Sequence, residues 1–117
     1  MNKHRGTRRE NQVKAFYADR DWFVIRAGGS FGPADLVAIQ PSSFPGLCRV
    51  ELVQVKSDVR GPYVHFGPAE RQSLLAAGRL TGAQVVLCWW PPRGKPHFIP
   101  PDQWPPPRPE LNGGRAA

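Results

Sequence analysis

Short apolar runs bounded by turn formers alternate along this chain with two stretches whose apolar residues recur at helical spacing. The runs Ala34-Asp35-Leu36-Val37-Ala38-Ile39 and Leu52-Val53-Gln54-Val55-Lys56 each read as a β-strand, rich in branched aliphatic residues. The link between them holds Pro41, Ser42, Ser43, Pro45 and Gly46, which is loop composition, so the pair forms an antiparallel hairpin. Folding the hairpin about Ser43 sets Asp35 opposite residues 52–54. Gln54 and Lys56 are two positions apart and share one face of their strand. An acid, an amide and an amine therefore converge at one end of a sheet. Their neighbours along both strands are apolar.

The remaining pattern surrounds that hairpin. Thr7-Arg8-Arg9-Glu10 is a capping box that predicts a helix with Thr7 as its N-cap. Val13, Phe16 and Tyr17 follow as an apolar stripe, and Glu10 falls on the same, buried side. Residues 22–26 predict the first strand, and the turn after it contains Gly28, Gly29, Ser30 and Gly32. That turn lacks the Gly-Lys-Ser/Thr ending of a P-loop and opens onto a strand, so it is no nucleotide cradle. Its role is to bring Ser30 and the backbone close to whatever binds beside Asp35.

Residues 63–66 predict a short strand extension. Gly67-Pro68 opens a second helix, Leu74, Leu75 and Gly78 mark its packed face, and Thr81-Gly82 ends it. Residues 83–90 form the most apolar strand, placed at the sheet centre and reached by a right-handed parallel crossover. Residues 97–99 add a last strand. Between Pro91 and Pro109, nine of 19 residues are proline, which predicts extended chain anchored by Trp104, with residues 112–117 disordered.

Composition narrows the function. The length of 117 residues suits one domain, divided here into a basic N-terminal arm (1–9), a folded domain (7–100) and a Pro-rich tail (101–117). Of 16 basic residues 12 are arginine, and the net charge is +7. Such a surplus calls for a polyanionic partner, and arginine favours planar, bidentate phosphate contacts. Cys48 and Cys88 lie in apolar runs and read as buried thiols of a reducing cytosol, too few for a disulfide framework or a metal cage. The basic start carries no apolar segment of a signal peptide, and no run approaches the length of a membrane span. The expected location is the cytoplasm, that of a host if the chain is phage-encoded. His65 and His97 have no partner at ligand spacing and read as structural or surface residues.

The order helix with Glu, strand, strand with Asp, strand with Gln-x-Lys, helix, strand resembles the PD-(D/E)xK nuclease superfamily. Within it the chain is similar to the archaeal-type Holliday junction resolvases. That family's pattern has a Glu in the first helix, an Arg-x-x-x-Ser turn, Asp-Leu/Ile-Val-Ala and Glu-Val-Lys. Here the matching residues are Glu10, Arg26 to Ser30, Asp35-Leu36-Val37-Ala38 and Gln54-Val55-Lys56. The resemblance implies an α/β, restriction-endonuclease-like mixed central sheet flanked by helices, and a homodimer that cuts two opposed strands of branched DNA. Glu10, Ser30, Asp35, Gln54 and Lys56 are the implied catalytic set. Asp35, Gln54 and Glu10 are the implied ligands of Mg²⁺, for which Mn²⁺ can substitute, with the Val55 carbonyl a further donor. Arg5, Arg8, Arg9, Arg26, Ser30 and Arg60 are the implied DNA contacts.

Phosphodiester hydrolysis needs a hard cation, an activated water and positive charge for the developing anion, and Mg²⁺ requires few protein oxygens. The chain departs from the family at Gln54, where a carboxylate is usual. Glu10 is placed to restore the lost charge, whereas Glu51, three positions from Gln54, points to the opposite face. Two alternatives stay open: another endonuclease of the superfamily, of repair or restriction type, and a catalytically inactive DNA-binding module.

Overall fold

The computed structural model describes residues 2–27 and 32–106. Helix α1 (Asn2–Ala18) is followed by β1 (Phe23–Arg26), β2 (Leu36–Gln40), β3 (Arg49–Lys56), α2 (Pro68–Thr81), β4 (Gln84–Trp89), β5 (His97–Ile99) and a 3₁₀ turn (Pro101–Gln103). The strands form one five-stranded sheet in chain order, β1-β2-β3-β4-β5. Only β3 and β4 run parallel, joined through α2 as the crossover rule requires. The other neighbours are antiparallel.

Strand alternation divides the core between the two faces. Val53, Val86 and Cys88 point to the α1 side, where they pack with Val13, Tyr17 and Leu36. Leu52, Val85 and Leu87 point to the α2 side and meet Phe66, Leu74 and Trp104. β3 is therefore the central strand, with β4 beside it and buried on both faces. Helix α2 approaches β4 closely because residue 78 is glycine: a Cβ there would lie 2.7 Å from Val85 Cγ1. Its N-terminus is closed by Glu70, which accepts the Gly67 N–H at 3.2 Å, and Gly82 ends it in the left-handed conformation.

Several sequence expectations change. Helix α1 begins at Asn2, ahead of Thr7, so Thr7 is a helical residue and the basic segment is the helix's first turns. Lysine and arginine are good helix formers, and a capping box permits a start without forbidding an earlier one. Residues 63–65 turn instead of extending a strand, with the Phe66 N–H returning to the Tyr63 carbonyl at 3.2 Å. Cys48 is exposed, because it precedes β3 in the hairpin connection; Cys88 is buried, which pushes its thiol up to about 12. Trp104 does anchor the chain after β5, stacking edge-on against Phe66 and donating to the Ile99 carbonyl at 3.0 Å. The expectation for residues 112–117 lies outside the described residues. Among the described residues no helix is long and apolar enough to cross a membrane.

Candidate active site and nucleic-acid cleft

The hairpin register pairs Leu36 with Val53, so Asp35 stands level with Gln54, within the range expected from the loop. Its hydrogen bonds depart from that register. The Asp35 N–H reaches the Val53 carbonyl at 2.8 Å, one residue out of step, as at a β-bulge. On the other side the Asp35 carbonyl keeps regular pairing and accepts the Ala27 N–H at 2.8 Å. The offset brings the Asp35 side chain into the plane of the sheet, where Oδ2 accepts the Val55 N–H at 2.9 Å. The carboxylate thus takes the place of the next rung of β2.

This rung fixes the direction of a second oxygen. The Lys56 carbonyl faces β4, since it accepts the Trp90 N–H at 2.8 Å. Alternation then turns both the N–H and the carbonyl of Val55 toward the β2 edge, beside the Asp35 carboxylate. Burial raises the Asp35 carboxyl to about 6, opposed by the Val55 N–H; the Glu10 charge raises it further, and Lys56 and Arg26 lower it. Glu10, Arg26 and Lys56 thus lie within coulombic range of Asp35.

Glu10 lies at the midpoint of α1, on the side that faces the sheet, and accepts Arg26 Nε at 3.2 Å. Both members of the pair are partly buried, so Arg26 holds Glu10 against β1 instead of standing free at the surface. Gln54 and Lys56 follow Leu52 on its face by alternation. Neither side chain has a hydrogen-bond or ion-pair partner among the described residues. Glu51 lies on the other face, where it accepts the Tyr17 hydroxyl at 2.8 Å. Ser30 and the side chain of Arg5 lie outside the described residues.

Beyond Lys56 the sheet end opens into a cleft of about 1010 Å³ between α1 and the segment after β3. Arg8, Arg9, Lys56, Arg60 and His65 line it, with Asp58 as its acid. Asp35, Gln54 and Glu10 do not line this cleft. Arg9 is partly tied down, with its guanidinium 5.1 Å from the Trp90 ring centre and Nη1 donating to Gln12 at 2.7 Å. Arg8 is exposed.

Sequence reading missed Asp58. Its carboxylate takes Arg60 in a fork, Nε at 3.0 Å and Nη2 at 2.8 Å, and His65 Nε2 also approaches it at 3.1 Å. His65 is thus not a lone histidine. The only sequence trace of this cluster is Asp58 two residues before Arg60, which permits a side-chain turn to the Arg60 N–H, made here at 2.8 Å.

No family model matches the chain, and no curated protein matches it. Among solved structures, that of Archaeoglobus fulgidus Hjc, a Holliday junction resolvase from an archaeal hyperthermophile, is similar with a TM-score of 0.68. The match covers 84% of this chain and 74% of that one, at 24% identity. The likeness is one of fold. A mixed five-stranded sheet flanked by two helices, with this neighbour, is the restriction-endonuclease-like architecture expected from the motif order.

Proposed function

We propose that the chain is a metal-dependent endonuclease that hydrolyses phosphodiesters in branched DNA, four-way junctions first, with Asp35 at the centre of its site. The observation that carries the reading is the rung made by Asp35 on Val55. In it a carboxylate of raised pKa and a backbone carbonyl stand side by side, with Glu10 and Lys56 within coulombic range, and Val55 and Lys56 also line a basic cleft. The fold shared with a resolvase supports the choice of substrate.

The donors fit a hard divalent cation such as Mg²⁺ or Mn²⁺. All are oxygens: the Asp35 carboxylate and the Val55 carbonyl in the plane of the sheet, with the Gln54 amide oxygen on the α2 face and Glu10, from α1, on the opposite face. Among the described residues no group of three His, Cys, Asp or Glu converges, so a cage of the zinc type is not offered. A cation that keeps most of its waters needs no such cage. When bound, it polarises the phosphoryl oxygen and acidifies a water. Asp35 in its ionised form holds that cation, and Val55 keeps the carboxylate from swinging away. Lys56 Nζ orients the attacking water or stabilises the charge that develops on the phosphoryl oxygens. Arg26 fixes Glu10 so that its charge stays at the site. Arg8, Arg9 and Arg60 track the backbone along the cleft.

A junction has two strands to cut, and a homodimer with one site per subunit supplies that symmetry. Trp89 and Trp90 are engaged within the chain: Trp89 donates to the Asp58 carbonyl at 2.7 Å and Trp90 to the Gly94 carbonyl at 3.1 Å. Apolar area remains on β1 instead, where Phe23 is 61% and Ile25 47% exposed.

The test compares a labelled four-way junction with a linear duplex of matched sequence, in Mg²⁺, Mn²⁺ or EDTA, for wild type and Asp35→Ala. Paired, metal-dependent nicks in the junction alone, lost in the variant, are the expected result. Equal cutting of both substrates keeps the nuclease and discards the junction preference. Binding without cutting in either metal makes the chain an inactive DNA-binding module, a reading that the uncharged Gln54 favours.

A further inference from the structure

The Asp58 cluster is larger than a surface ion pair requires. Asp58 is the least exposed of its members, with its side chain 17% exposed against 67% for Arg60 and 64% for His65. Its backbone is held too: the Asp58 carbonyl accepts Trp89 Nε1 at 2.7 Å and the Gly61 N–H at 3.2 Å. Oδ1 binds the Arg60 N–H and Nε, while Oδ2 binds Arg60 Nη2 and His65 Nε2. Asp58 is therefore a fixed hub, held ionised first by Arg60, from which the Arg60 guanidinium and the His65 ring are hung at the cleft wall. With Nε and one edge of Nη2 bound to Asp58, the guanidinium turns Nη1 and the outer Nη2 proton away from the hub. His65 likewise keeps Nδ1 free of Asp58. Arg8, exposed on α1, lines the same cleft.

We infer that the connection between β3 and α2 carries a second contact site for the DNA backbone, in which Asp58 positions Arg60 and His65 to grip a phosphate across the cleft from Arg8. The inference rests on the nuclease reading only for the identity of the polyanion. Asp58 is a positioning residue: it adds negative charge to a basic cleft, yet it sets the direction of the remaining Arg60 donors and of the His65 ring. A guanidinium already oriented loses less freedom when it meets a phosphate. Arg60 with its fork half occupied still has the planar edge that a phosphate oxygen pair accepts.

The two roles of Asp58 predict opposite signs. If the carboxylate only dilutes the positive charge, Asp58→Asn tightens DNA binding. If it positions Arg60 and His65, the same change weakens binding although the protein becomes more basic. Binding of a fluorescent four-way junction by the full chain is measured in EDTA, over a series of salt concentrations, so that cleavage plays no part. Asp58→Asn is expected to weaken binding about three- to tenfold, the scale of one or two hydrogen bonds. Arg60→Gln is expected to do the same and to lower the slope of log affinity against log salt by about one. Arg60→Lys keeps the charge and leaves the fold alone but cannot make the fork, so it should lose affinity with little change of slope. Asp58→Asn added to Arg60→Gln should cost no more than His65 alone accounts for, read against Arg60→Gln with His65→Gln.

Tighter or unchanged binding by Asp58→Asn with an unaltered melting temperature overturns the inference. If that variant melts early, full affinity in Arg60→Lys overturns it instead. A wild type that binds the junction but never cuts it defeats the nuclease reading and leaves this site standing.

Discussion

Asp35 makes a prediction that separates stability from function. Its carboxyl is raised from an ordinary 3.8 to about 6, first by burial and then by Glu10. The folded state therefore holds the proton more tightly than the unfolded chain. Both states are protonated well below 3.8; between there and 6 the unfolded chain ionises first, and stability falls as pH rises. Above 6 the loss is complete, because both states are ionised. The rise from 3.8 to about 6 corresponds to about 3 kcal/mol as an upper bound. Water reaching the partly exposed carboxylate reduces this to about 1–2 kcal/mol. Asp35→Asn removes the charge while its amide oxygen still accepts the Val55 N–H. At pH 8 in EDTA the variant should be more stable than wild type by that amount, about 4–8 °C in melting temperature for a domain of this size. At pH 3.5 most of the difference should be gone. Thermal melts by circular dichroism at the two pH values, with and without Mg²⁺, measure it. Added Mg²⁺ should raise the wild-type melting temperature and leave Asp35→Asn unmoved. A variant less stable than wild type by the same amount at both pH values would refute the reasoning, since the ionised carboxylate would then be a net support of the sheet end.

Three further outcomes follow from named contacts. Gln54→Glu restores a charged oxygen beside Asp35, so the Mg²⁺ concentration needed for half-maximal junction cleavage should fall about tenfold, while the metal-free protein melts earlier through carboxylate repulsion; metal titrations and melts read the two effects. Gly78→Val drives a side chain into Val85 and should destabilise by about 1–3 kcal/mol in urea unfolding despite leaving the helix without its glycine. Trp104→Ala removes the edge-on contact with Phe66 and the bond to Ile99, and should destabilise by about 3 kcal/mol in the same assay while junction binding by the remaining folded protein is unchanged.

The hairpin was legible because two rules act on it together: alternation fixes its faces, and loop length limits its register. Asp35 accordingly fell opposite residues 52–54, and Leu36 does pair with Val53. Helix α2 was legible for similar reasons, with Pro68 and Gly82 marking its ends. The start of α1 was not, because Thr7 and Glu10 supply a favourable cap that the chain does not use; Lys3 and Arg5 favour helix but Asn2, His4 and Gly6 do not, so propensity gives no sign of the earlier start. Cys48 was misplaced because an apolar neighbour, Leu47, suggested a strand where the chain is still in its connection; Leu47 is itself 67% exposed. The Asp58 cluster was invisible for a different reason. His65 lies beyond the Gly61-Pro62 turn, and only the folded connection brings it back to Asp58.

The features hardest to read are the ones that give the site its chemistry, and both arise where regular structure stops. A register offset of one residue at Asp35 cannot be inferred from alternation, which assumes the ladder continues. Yet that offset converts a side chain into a rung and aims the Val55 carbonyl at the same place. Inside the ladder the Val55 N–H would be satisfied by a neutral backbone carbonyl, and no charge would stand there. At its end the same N–H stabilises an anion that burial disfavours, and leaves the neighbouring carbonyl oxygen open to a cation. Arg26 balances Glu10 in the same way, holding a second carboxylate close without letting the two repel each other out of the site. Neutral Gln54 then has a physical consequence apart from the proposed metal: a third carboxylate at this position would add to the repulsion that already raises Asp35. On the proposed function the sheet end tolerates its charges without a cation and would gain from accepting one, and the difference between those two states is what the pH and Mg²⁺ melts of Asp35→Asn read out.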